Sequence, residues 1–513
     1  MYLRIITLNK AGITYKYAQI VEHVVENGKH RIRVIKHLGP VTSASDLDKY
    51  NKMLADEKAA STIYDLNRFV LLEPKIFGPV YASLEIAKKY GIYKILRKIF
   101  GKDTDLMMLM IVSRLIDPSS DIRILEFIRK SYLNIDANKN MIYRSLDTLV
   151  SKKEEIELGI FRAIRPDTSK VFYDLTSSYF EGTENNDLVL FGYSRDKKRG
   201  KEQIVIAVVM ADGIPIYHEV YPGNTVDPST LENTIRVLKE KFQIKDVIFV
   251  EDRAFGRKPS LKILDENQYI TAAYRWDQPY RGVLMNTAVT EEDKVEDLYI
   301  KEVSIKASNK DQPEEAKKGK RRYIFVYNPD REKQDLEDLD IKIEAVEKIL
   351  TERLGKEETK NKLGNLRSLV SFKGNEIKLN EKKIKEIKGL AGRYLIITNS
   401  SLGKEEAVKT YKDLWKIERA FRTIKSFIEI RPIYHRKTER IRAHVFISVL
   451  SLLIGRIIEK KTGKSISRVM DILSGMEAIP VKIGDKIITI RNESEECKEI
   501  LNDLDIKYPD RVL

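Results

Sequence analysis

Cysteine is almost absent from this 513-residue sequence, in which Cys497 is the single example. The chain therefore forms no intramolecular disulfide and no zinc site built from several cysteines, and we interpret Cys497 as an ordinary thiol. A long apolar run is also lacking. The longest, residues 445–458, is interrupted by two serines, a glycine and an arginine. It is shorter than the about 20 residues that span a bilayer, so we expect a buried core helix there.

Residues 1–10 contain no signal-like run followed by a cleavage site of small residues. We therefore expect a cytoplasmic protein that makes no membrane contact. Charge is unbalanced, because 92 Lys and Arg outnumber 77 Asp and Glu and give a net charge of +15. This excess favours a polyanionic partner, although many basic proteins bind no nucleic acid. The length allows several domains and a large core.

Three carboxylates in separate segments form a candidate metal site: Asp174, Asp252 and Glu418. Asp174 and Asp252 each follow a run of β-branched and aromatic residues, the pattern of a buried strand that ends at an active-site edge. We therefore expect both carboxylates at strand tips. An Asp in this position is also common as a turn residue or helix cap. Glu251 is not taken as a ligand, because adjacent strand residues point to opposite faces of a sheet.

Residues 407–430 have the apolar spacing of one amphipathic helix. Within this helix Tyr411, Glu418 and Lys425 lie seven residues apart. Seven residues return a helix to within about 20° of the same face, so we predict a polar stripe of phenol, carboxylate and ammonium. Such a stripe suits a metal and a phosphate, and the alternative is a solvated helix face.

The segments between these carboxylates predict a sheet with connecting helices. Strands are expected at 204–210 and 214–221, joined by the hairpin signal Ala211-Asp212-Gly213. The pattern continues with a helix at 227–242, a strand at 247–250, a helix at 259–267 and a strand at 269–274. The order βββαβαβ, followed by the helix with Glu418, is that of a ribonuclease H-like core, an α/β fold with a mixed five-stranded sheet.

Residues 411–425 resemble the signature Tyr-x2-Arg-x3-Glu-x6-Lys of the DDE transposases of bacterial and archaeal insertion sequences. Other segments that resemble this family are Gly192-Tyr-Ser-Arg-Asp-Lys-Lys-Arg, Pro222-Gly-Asn224-Thr, Glu251-Asp252-Arg-Ala and Arg431-Pro-Ile-Tyr-His435. The resemblance covers residues 1–460 approximately. One position departs from the signature, since Leu414 stands where the family has Arg. Arg422 or Lys416 would then supply the missing cation.

The resemblance implies a metal-dependent enzyme that cuts and joins DNA. Asp174, Asp252 and Glu418 would hold two Mg²⁺ ions, which Mn²⁺ can replace, at the site of in-line phosphoryl transfer. Water would first free a 3′-OH at the element end, and that hydroxyl would then attack target DNA. The implied partners are double-stranded DNA, as terminal inverted repeats and as target, and a second copy in a homodimer on DNA. The protein would then be associated with the nucleoid of a prokaryote.

Several residues are candidate DNA contacts. Tyr411 and Lys425 would hold the terminal phosphate of the cleaved strand. The others are Arg422, Lys416, Arg253, His435, Arg195, Lys198 and Trp276. Trp276 would stack on a flipped base, although a Trp is more often part of a core. The basic cluster around Arg195 and Lys198 would neutralise DNA backbone or remain solvated.

Six segments are predicted along the chain. Residues 1–40 form a small β-meander around the hairpin signal Asn27-Gly28. Residues 75–164 form a helical domain assigned to end binding, in which 139–152 is either a DNA-recognition helix or an amphipathic helix packed on its neighbours. The remaining segments are the two parts of the core at 165–275 and 391–460, an inserted β and helical domain at 276–390, and an α/β tail at 461–513 for dimerisation or DNA contact.

Two other functions stay open. A ribonuclease H-like nuclease would share the three carboxylates and cut DNA without strand transfer. A catalytically silent transposase relic would bind DNA without cutting it, and such proteins typically lose a carboxylate, whereas all three are present here. A metalloenzyme unrelated to nucleic acids would leave Tyr411, Lys425 and the basic charge unexplained.

Overall fold

The computed structural model describes the chain except for residues 11, 27–28, 62–68, 119–122, 181–185, 193–200, 226, 245–246, 252–257, 306–320, 353, 374–375, 431–432, 434, 484–485, 493 and 513. Two compact units are present. The smaller comprises Met1–Lys75, Ala478–Asn492 and Pro509–Leu513. The larger comprises Ile76–Glu477 and Glu493–Tyr508.

The described residues form strands and helices in alternation along most of the chain. The strands are β1 (Tyr2–Lys10), β2 (Ile13–Glu26), β3 (Lys29–Pro40), β4 (Phe69–Leu71), β5 (Lys75–Ile76), β6 (Lys170–Tyr179), β7 (Leu190–Phe191), β8 (Glu202–Ala211), β9 (Ile214–Pro222), β10 (Ile248–Glu251), β11 (Gln268–Ala272), β12 (Lys294–Val295), β13 (Leu298–Val303), β14 (Arg322–Tyr327), β15 (Val370–Lys373), β16 (Glu376–Leu379), β17 (Arg393–Thr398), β18 (Glu477–Ile483) and β19 (Lys486–Arg491). The helices are α1 (Ala44–Ser61), α2 (Gly78–Lys89), α3 (Ile92–Phe100), α4 (Thr104–Ile116), α5 (Ile124–Lys130), α6 (Lys139–Ser151), α7 (Lys153–Ile164), α8 (Asp227–Glu240), α9 (Lys258–Leu264), α10 (Tyr280–Asn286), α11 (Pro329–Thr351), α12 (Lys356–Leu363), α13 (Glu381–Leu390), α14 (Lys404–Lys412), α15 (Trp415–Arg422), α16 (Thr438–Thr462), α17 (Ile466–Ser474) and α18 (Glu495–Asp503).

The smaller unit contains two antiparallel sheets. In the first, β1, β2 and β3 lie in that order, and Leu8 pairs with Tyr15. The sequence predicts this meander, although its hairpin residues 27 and 28 lie outside the described residues. In the second sheet the order is β19, β18, β4, so strands of the C-terminal tail pair with a strand from the N-terminal region. The tail is divided, because α17 and α18 belong to the larger unit.

Helix α16 is the core helix of the larger unit. It packs against α4, α6 and β9. Its length and composition would allow it to cross a membrane, with a mean hydropathy of 1.8, but 89% of the apolar window is buried inside the protein. The core helix predicted at residues 445–458 lies within α16.

A ten-stranded sheet forms the centre of the larger unit, counted over the described residues. Five of its strands follow the order β9, β8, β6, β10, β11. Strand β6 pairs antiparallel with β8 and parallel with β10, and β10 pairs parallel with β11. Helix α8 connects β9 to β10, and α9 connects β10 to β11. The predicted order of three strands, helix, strand, helix and strand is therefore present, with the short β7 added between β6 and β8.

The predicted limit of five strands is wrong, because the sheet continues beyond β11. Strand β17 pairs antiparallel with β11, and β14 pairs with β17. Strands β13 and β12 follow in turn. The first half of the inserted segment therefore extends the core sheet, through a strand at Arg393–Thr398 that was not predicted.

The second half of the inserted segment has a small apolar core of its own. Leu339 and Val346 of α11 pack with Leu363, Leu369 and Val370. Where the sequence predicts one helix at 377–388, the structure has the end of the β15–β16 hairpin followed by α13.

A buried ionic cluster joins α7 to β9. Glu157 Oε1 accepts a hydrogen bond from the backbone N–H of His218 at 3.2 Å and lies 2.7 Å from His218 Nδ1. Lys153 Nζ donates to Glu157 Oε2 at 2.9 Å. Burial and the charge of Lys153 lower the pKa of His218. Burial alone would raise the pKa of Glu157, but the charge of Lys153 and the contact with His218 lower it.

We expect the stability of this unit to fall as the pH is lowered. A group whose pKa is lowered by folding binds more protons when unfolded, so its contribution is complete above the unfolded pKa and is lost as the pH falls. The loss begins with His218 near its ordinary pKa of 6.5 and continues with Glu157 below 4.5. Urea midpoints across this range will show the fall, and in His218→Asn its upper part will be flatter. Identical profiles for the two proteins would contradict the assignment to His218.

Candidate active site

Asp174 lies in the middle of β6, half-buried, and not at a strand tip as predicted. Strand β6 continues to Tyr179, because the small polar residues after Leu175 are buried and pair with β8. Asp174 Oδ1 accepts a hydrogen bond from the N–H of Leu175 at 2.7 Å. The neighbouring Tyr173 points to the opposite face, where its hydroxyl donates to Thr230 Oγ1 of α8 at 2.8 Å.

Strand β10 ends at Glu251 beside this part of β6, and its register pairs Glu251 with Tyr173. The pairing puts the Glu251 side chain on the face of Tyr173, away from that of Asp174. Glu251 is fully buried, and neither of its carboxylate oxygens has a hydrogen-bond partner among the described residues. Burial and the nearby charge of Asp174 raise the pKa of Glu251 well above its usual value. Asp252, the next residue, lies outside the described residues, as does Arg253.

The predicted single helix over 407–430 is wrong. It is divided into α14 and α15, and the N–H of Leu414 donates to the carbonyl of Tyr411 at 3.1 Å instead of one residue earlier. After α15 the backbone forms a π-helical turn, Thr423–Phe427. Both irregularities change the angle per residue, so Tyr411, Glu418 and Lys425 do not form one regular stripe.

Helix α15 packs directly on β6 and carries Glu418. Ile417 of α15 and Phe172 of β6 line one cavity of about 420 Å³. Phe172 is two residues before Asp174, so the two side chains share the face that α15 covers. Glu418 itself is exposed. Two of the three predicted metal ligands therefore lie on elements that pack against each other.

The described residues contain no cluster of three or more His, Cys, Asp or Glu side chains arranged to hold a metal. The third predicted ligand, Asp252, is outside that part of the chain. The chemistry of the donor set fits a hard divalent ion, because all three predicted ligands are carboxylates. The exposure of Glu418 and the partial exposure of Asp174 leave both carboxylates open to such an ion.

Tyr411 and Trp276 are brought together in a different place, at the carboxyl end of β11. They line a cleft of about 440 Å³. The rest of its lining is Ala272, Ala273, Tyr274, Arg275, Arg331, Asp335, Gly392, Arg393 and Tyr394. The rings of Tyr411 and Tyr394 lie 6.2 Å apart. Lys383 Nζ of α13 lies 3.5 Å from the centroid of the Trp276 ring, so one face of that ring is covered.

The three arginines of this cleft were not predicted as site residues. Arg275 could have been recognised from its position next to Trp276. Arg331 and Arg393 could not, because the pairing of β14 with β17 brings them to the end of β11 from distant segments. The cleft therefore combines aromatic and cationic side chains beside the core sheet.

His435 lies next to α6, and not beside Glu418 by any contact among the described residues. Its ring is 6.4 Å from Tyr143 and 5.9 Å from His444. His444 is buried and lies within hydrogen-bonding distance of Arg114 and of the carbonyl of Ile430. His444 is therefore a packed core residue, one of the two roles expected for a histidine at this position.

The other predicted DNA contacts are scattered. Arg422 is exposed on α15, and Lys425 is half-buried in the π-helical turn. Lys416 belongs to α15 by its backbone, whereas Arg195 and Lys198 lie outside the described residues. Leu414, which replaces the signature Arg, is 7% exposed and belongs to the core.

Helix α6, the alternative DNA-recognition helix, is packed on α16. Ile142, Leu146 and Leu149 are buried in this contact. On its outer side Asp147 accepts two hydrogen bonds from Arg440 of α16, at 3.0 and 3.2 Å. The packed alternative therefore describes most of α6, and Lys139, Asn140 and Arg144 remain exposed.

Comparison with protein families gives two matches. The model of the IS1634 family transposase, N-terminal domain, matches residues 3–63. The model described as "Archaeal putative transposase ISC1217", of the DDE class, matches residues 347–466, which contain α14, α15 and α16. The chain is a DDE transposase of an insertion sequence. The second match includes Tyr411, Glu418 and Lys425 of the transposase but neither Asp174 nor Asp252.

Two solved structures similar to this transposase are complexes with DNA. One is a piggyBac transposase synaptic complex with hairpin DNA, at 10% identity and a TM-score of 0.35, covering 77% of this chain and 75% of the other. Another is the Mos1 transposase paired-end complex with the left transposon end, at 14% identity and a TM-score of 0.15, covering 34% of this chain and 59% of the other. Both TM-scores are too low to carry an argument. No curated protein matches the transposase in sequence.

Proposed function

We propose that this transposase cleaves DNA at the ends of its insertion sequence and joins them to target DNA, with Asp174, Asp252 and Glu418 as the catalytic carboxylates. The observation that carries the proposal is the packing of α15, with Glu418, on β6, with Asp174. The register of β6 with β10 adds support, because it aligns Tyr173 with Glu251 and so brings the residue after β10 level with Asp174.

The strands around these residues have the arrangement of a ribonuclease H-like core. Strands β9, β8 and β6 are antiparallel neighbours, and β6, β10 and β11 are parallel neighbours. Ligands of open α/β sheets bind outside the carboxyl ends of the parallel strands. The end of β10, just before Asp252, and the cleft beyond β11 both lie on that side of the sheet.

The three carboxylates would hold two Mg²⁺ ions, or Mn²⁺ in their place. Bound there, the ions would stabilise the attacking and leaving oxygens of an in-line displacement. Water would attack the phosphodiester at the element end and leave a 3′-OH. That hydroxyl would then attack a target phosphodiester, forming the new bond as the target strand breaks.

Cationic residues of the chain would position the DNA for both steps. Arg419 and Arg422 are exposed on the same helix as Glu418. Lys425 and His435 are candidates for further phosphate contacts. Tyr411 would act within the cleft it shares with Trp276 and three arginines, where aromatic and cationic side chains suit a DNA strand.

Arg422→Ala is expected to weaken binding of end DNA by about 1 to 3 kcal/mol, if Arg422 takes over the phosphate contact of the missing signature Arg. Its exposure on α15, one turn beyond Glu418, supports this role over that of Lys416. Gel-shift titrations of the wild type, Arg422→Ala and Lys416→Ala on the same duplex will compare them. Unchanged affinity in Arg422→Ala, with a loss in Lys416→Ala, would transfer the role to Lys416.

We also propose that two copies act together on paired element ends, in the cytoplasm of a prokaryote and in association with the nucleoid. Joining of two ends to one target requires both ends in one complex, which a dimer provides. Light scattering of the complex with paired-end DNA is expected to give the mass of two chains. Strand joining by a monomeric complex would contradict this proposal.

Incubation with labelled ends of the element that encodes the chain, in Mg²⁺, tests the function itself. Release of a 3′-OH and appearance of joined products, both lost in Asp252→Asn, is the expected result. Cleavage without joining would favour the ribonuclease H-like nuclease. Tight end binding with no cleavage by either protein would favour a catalytically silent relic.

A further inference from the structure

Trp415 is a large aromatic side chain left open on the surface. It is one of two tryptophans in the chain and is 51% exposed. No ring contact or hydrogen bond of its side chain is found among the described residues. The other tryptophan, Trp276, has Lys383 over its ring. Tryptophan is enriched where proteins bind partners, because a large amphipathic ring is costly to leave in water.

The position of Trp415 relates it to the proposed catalytic residue. Trp415 precedes Glu418 by three residues, and Glu418 precedes Arg422 by four, so the three side chains lie along one face of α15. All three are exposed, whereas Ile417, Ala420 and Phe421 are buried on the other side. An indole, a carboxylate and a guanidinium therefore follow one another along the outer face of the helix.

These three groups match the parts of a nucleotide. A guanidinium binds a phosphate, a carboxylate holds a metal beside the scissile bond, and an indole stacks on a base. Trp415 and Glu418 are separated by about one helical turn, roughly 5.4 Å, so one nucleotide can reach both. A base within an intact duplex has no free face, because both of its faces are stacked on neighbours.

We propose that Trp415 stacks on an unpaired base of the DNA strand whose phosphodiester lies at Glu418. The inference rests on the proposed function and adds a preference, for element ends that are frayed or distorted at the cleavage point. Stacking tolerates any base, since every base has a π-face. The preference is therefore for unpaired structure and not for a particular sequence.

The intrinsic fluorescence of Trp415 tests this directly. In a Trp276→Phe background Trp415 is the sole tryptophan, and a gel shift first establishes that the protein binds the DNA. The probes are three end duplexes: one with a single unpaired nucleotide at the cleavage point, one fully paired, and one with an abasic site in place of the unpaired base. We expect strong quenching by the first and little by the other two.

Affinity measurements with otherwise native protein separate stacking from folding. Trp415→Ala is expected to weaken binding of the unpaired probe by about 5- to 100-fold, and Trp415→Tyr by much less, because Tyr keeps a stacking face. Thermal midpoints should not move, since Trp415 is half exposed. Ile341→Ala is the matched control, because Ile341 is 65% exposed on α11 and has no part in the stripe.

Unchanged emission on DNA that the gel shift shows to be bound would overturn the inference and leave the proposed function standing. Equal quenching by all three probes would overturn the requirement for an unpaired base. Failure of every variant, and of the wild type, to bind any probe would overturn the proposed function and the inference together.

Discussion

Asp174→Asn is expected to abolish metal-dependent cleavage of element ends while DNA binding stays almost unchanged. The substitution keeps the size of the side chain and removes its charge, and with it a ligand of the proposed metal site. Metal stabilisation of the displacement is worth several kcal/mol. A loss of that size corresponds to about a thousandfold or more in rate. Single-turnover cleavage of labelled ends, beside a gel shift, measures both quantities.

The matched control for this experiment is Asp297→Asn. Asp297 is an exposed carboxylate that precedes β13 in the inserted segment. It should cleave at the rate of the wild type. Asp174→Cys adds a second readout, because a thiolate is a softer ligand than a carboxylate and suits Mn²⁺ better than Mg²⁺. Full activity of Asp174→Asn in Mg²⁺ would remove Asp174 from the metal site.

Glu157→Gln is expected to lower the free energy of unfolding of the larger unit by about 3 kcal/mol, the usual loss when one member of a buried ion pair is removed. Glu157 is 7% exposed and is held by His218 and Lys153. The amide still accepts a hydrogen bond, but Lys153 then loses the negative charge that it pairs with at this site. Urea unfolding followed by circular dichroism will show the midpoint at lower denaturant.

Glu155 on the same helix is the matched control. Its carboxylate pairs with Lys98 and Lys152 at the surface, where solvent screens the attraction. Glu155→Gln should therefore leave the unfolding midpoint almost unchanged. Equal shifts in the two variants would mean that the buried cluster has no special weight.

The order of strands and helices in the core could be predicted because each element is a short apolar run bounded by turn residues. Strands β8 and β9 flank Asp212-Gly213, and both residues have positive φ, 52° and 76°. This conformation explains why a two-residue turn of that composition forms the hairpin. The local sequence thus carries enough information for these elements.

The position of Asp174 within β6 could not be predicted. Thr176, Ser177 and Ser178 after it are polar and suggest the end of a strand, but the surrounding protein buries them. The extension of the sheet was also hidden, because it depends on the pairing of β17 with both β11 and β14, which are far apart in sequence.

The interruption of the helix at Asp413 and Leu414 has no signal in the sequence. Both residues keep helical dihedrals, with φ and ψ of −64° and −9° at Asp413 and −55° and −28° at Leu414. The apolar spacing therefore passes through the break, and only the hydrogen-bond pattern changes. The separation of Tyr411 from the face of Glu418 follows from this change.

The central claim is that Asp174, Asp252 and Glu418 hold divalent ions at one site. Crystals of the transposase grown in Mn²⁺ test it most directly, because the anomalous signal of manganese locates the ions without reference to activity. The account predicts anomalous peaks within bonding distance of all three carboxylates, and their loss in Asp174→Asn. Peaks at other residues, or Glu418 turned away from an ion held by the two aspartates, would contradict it.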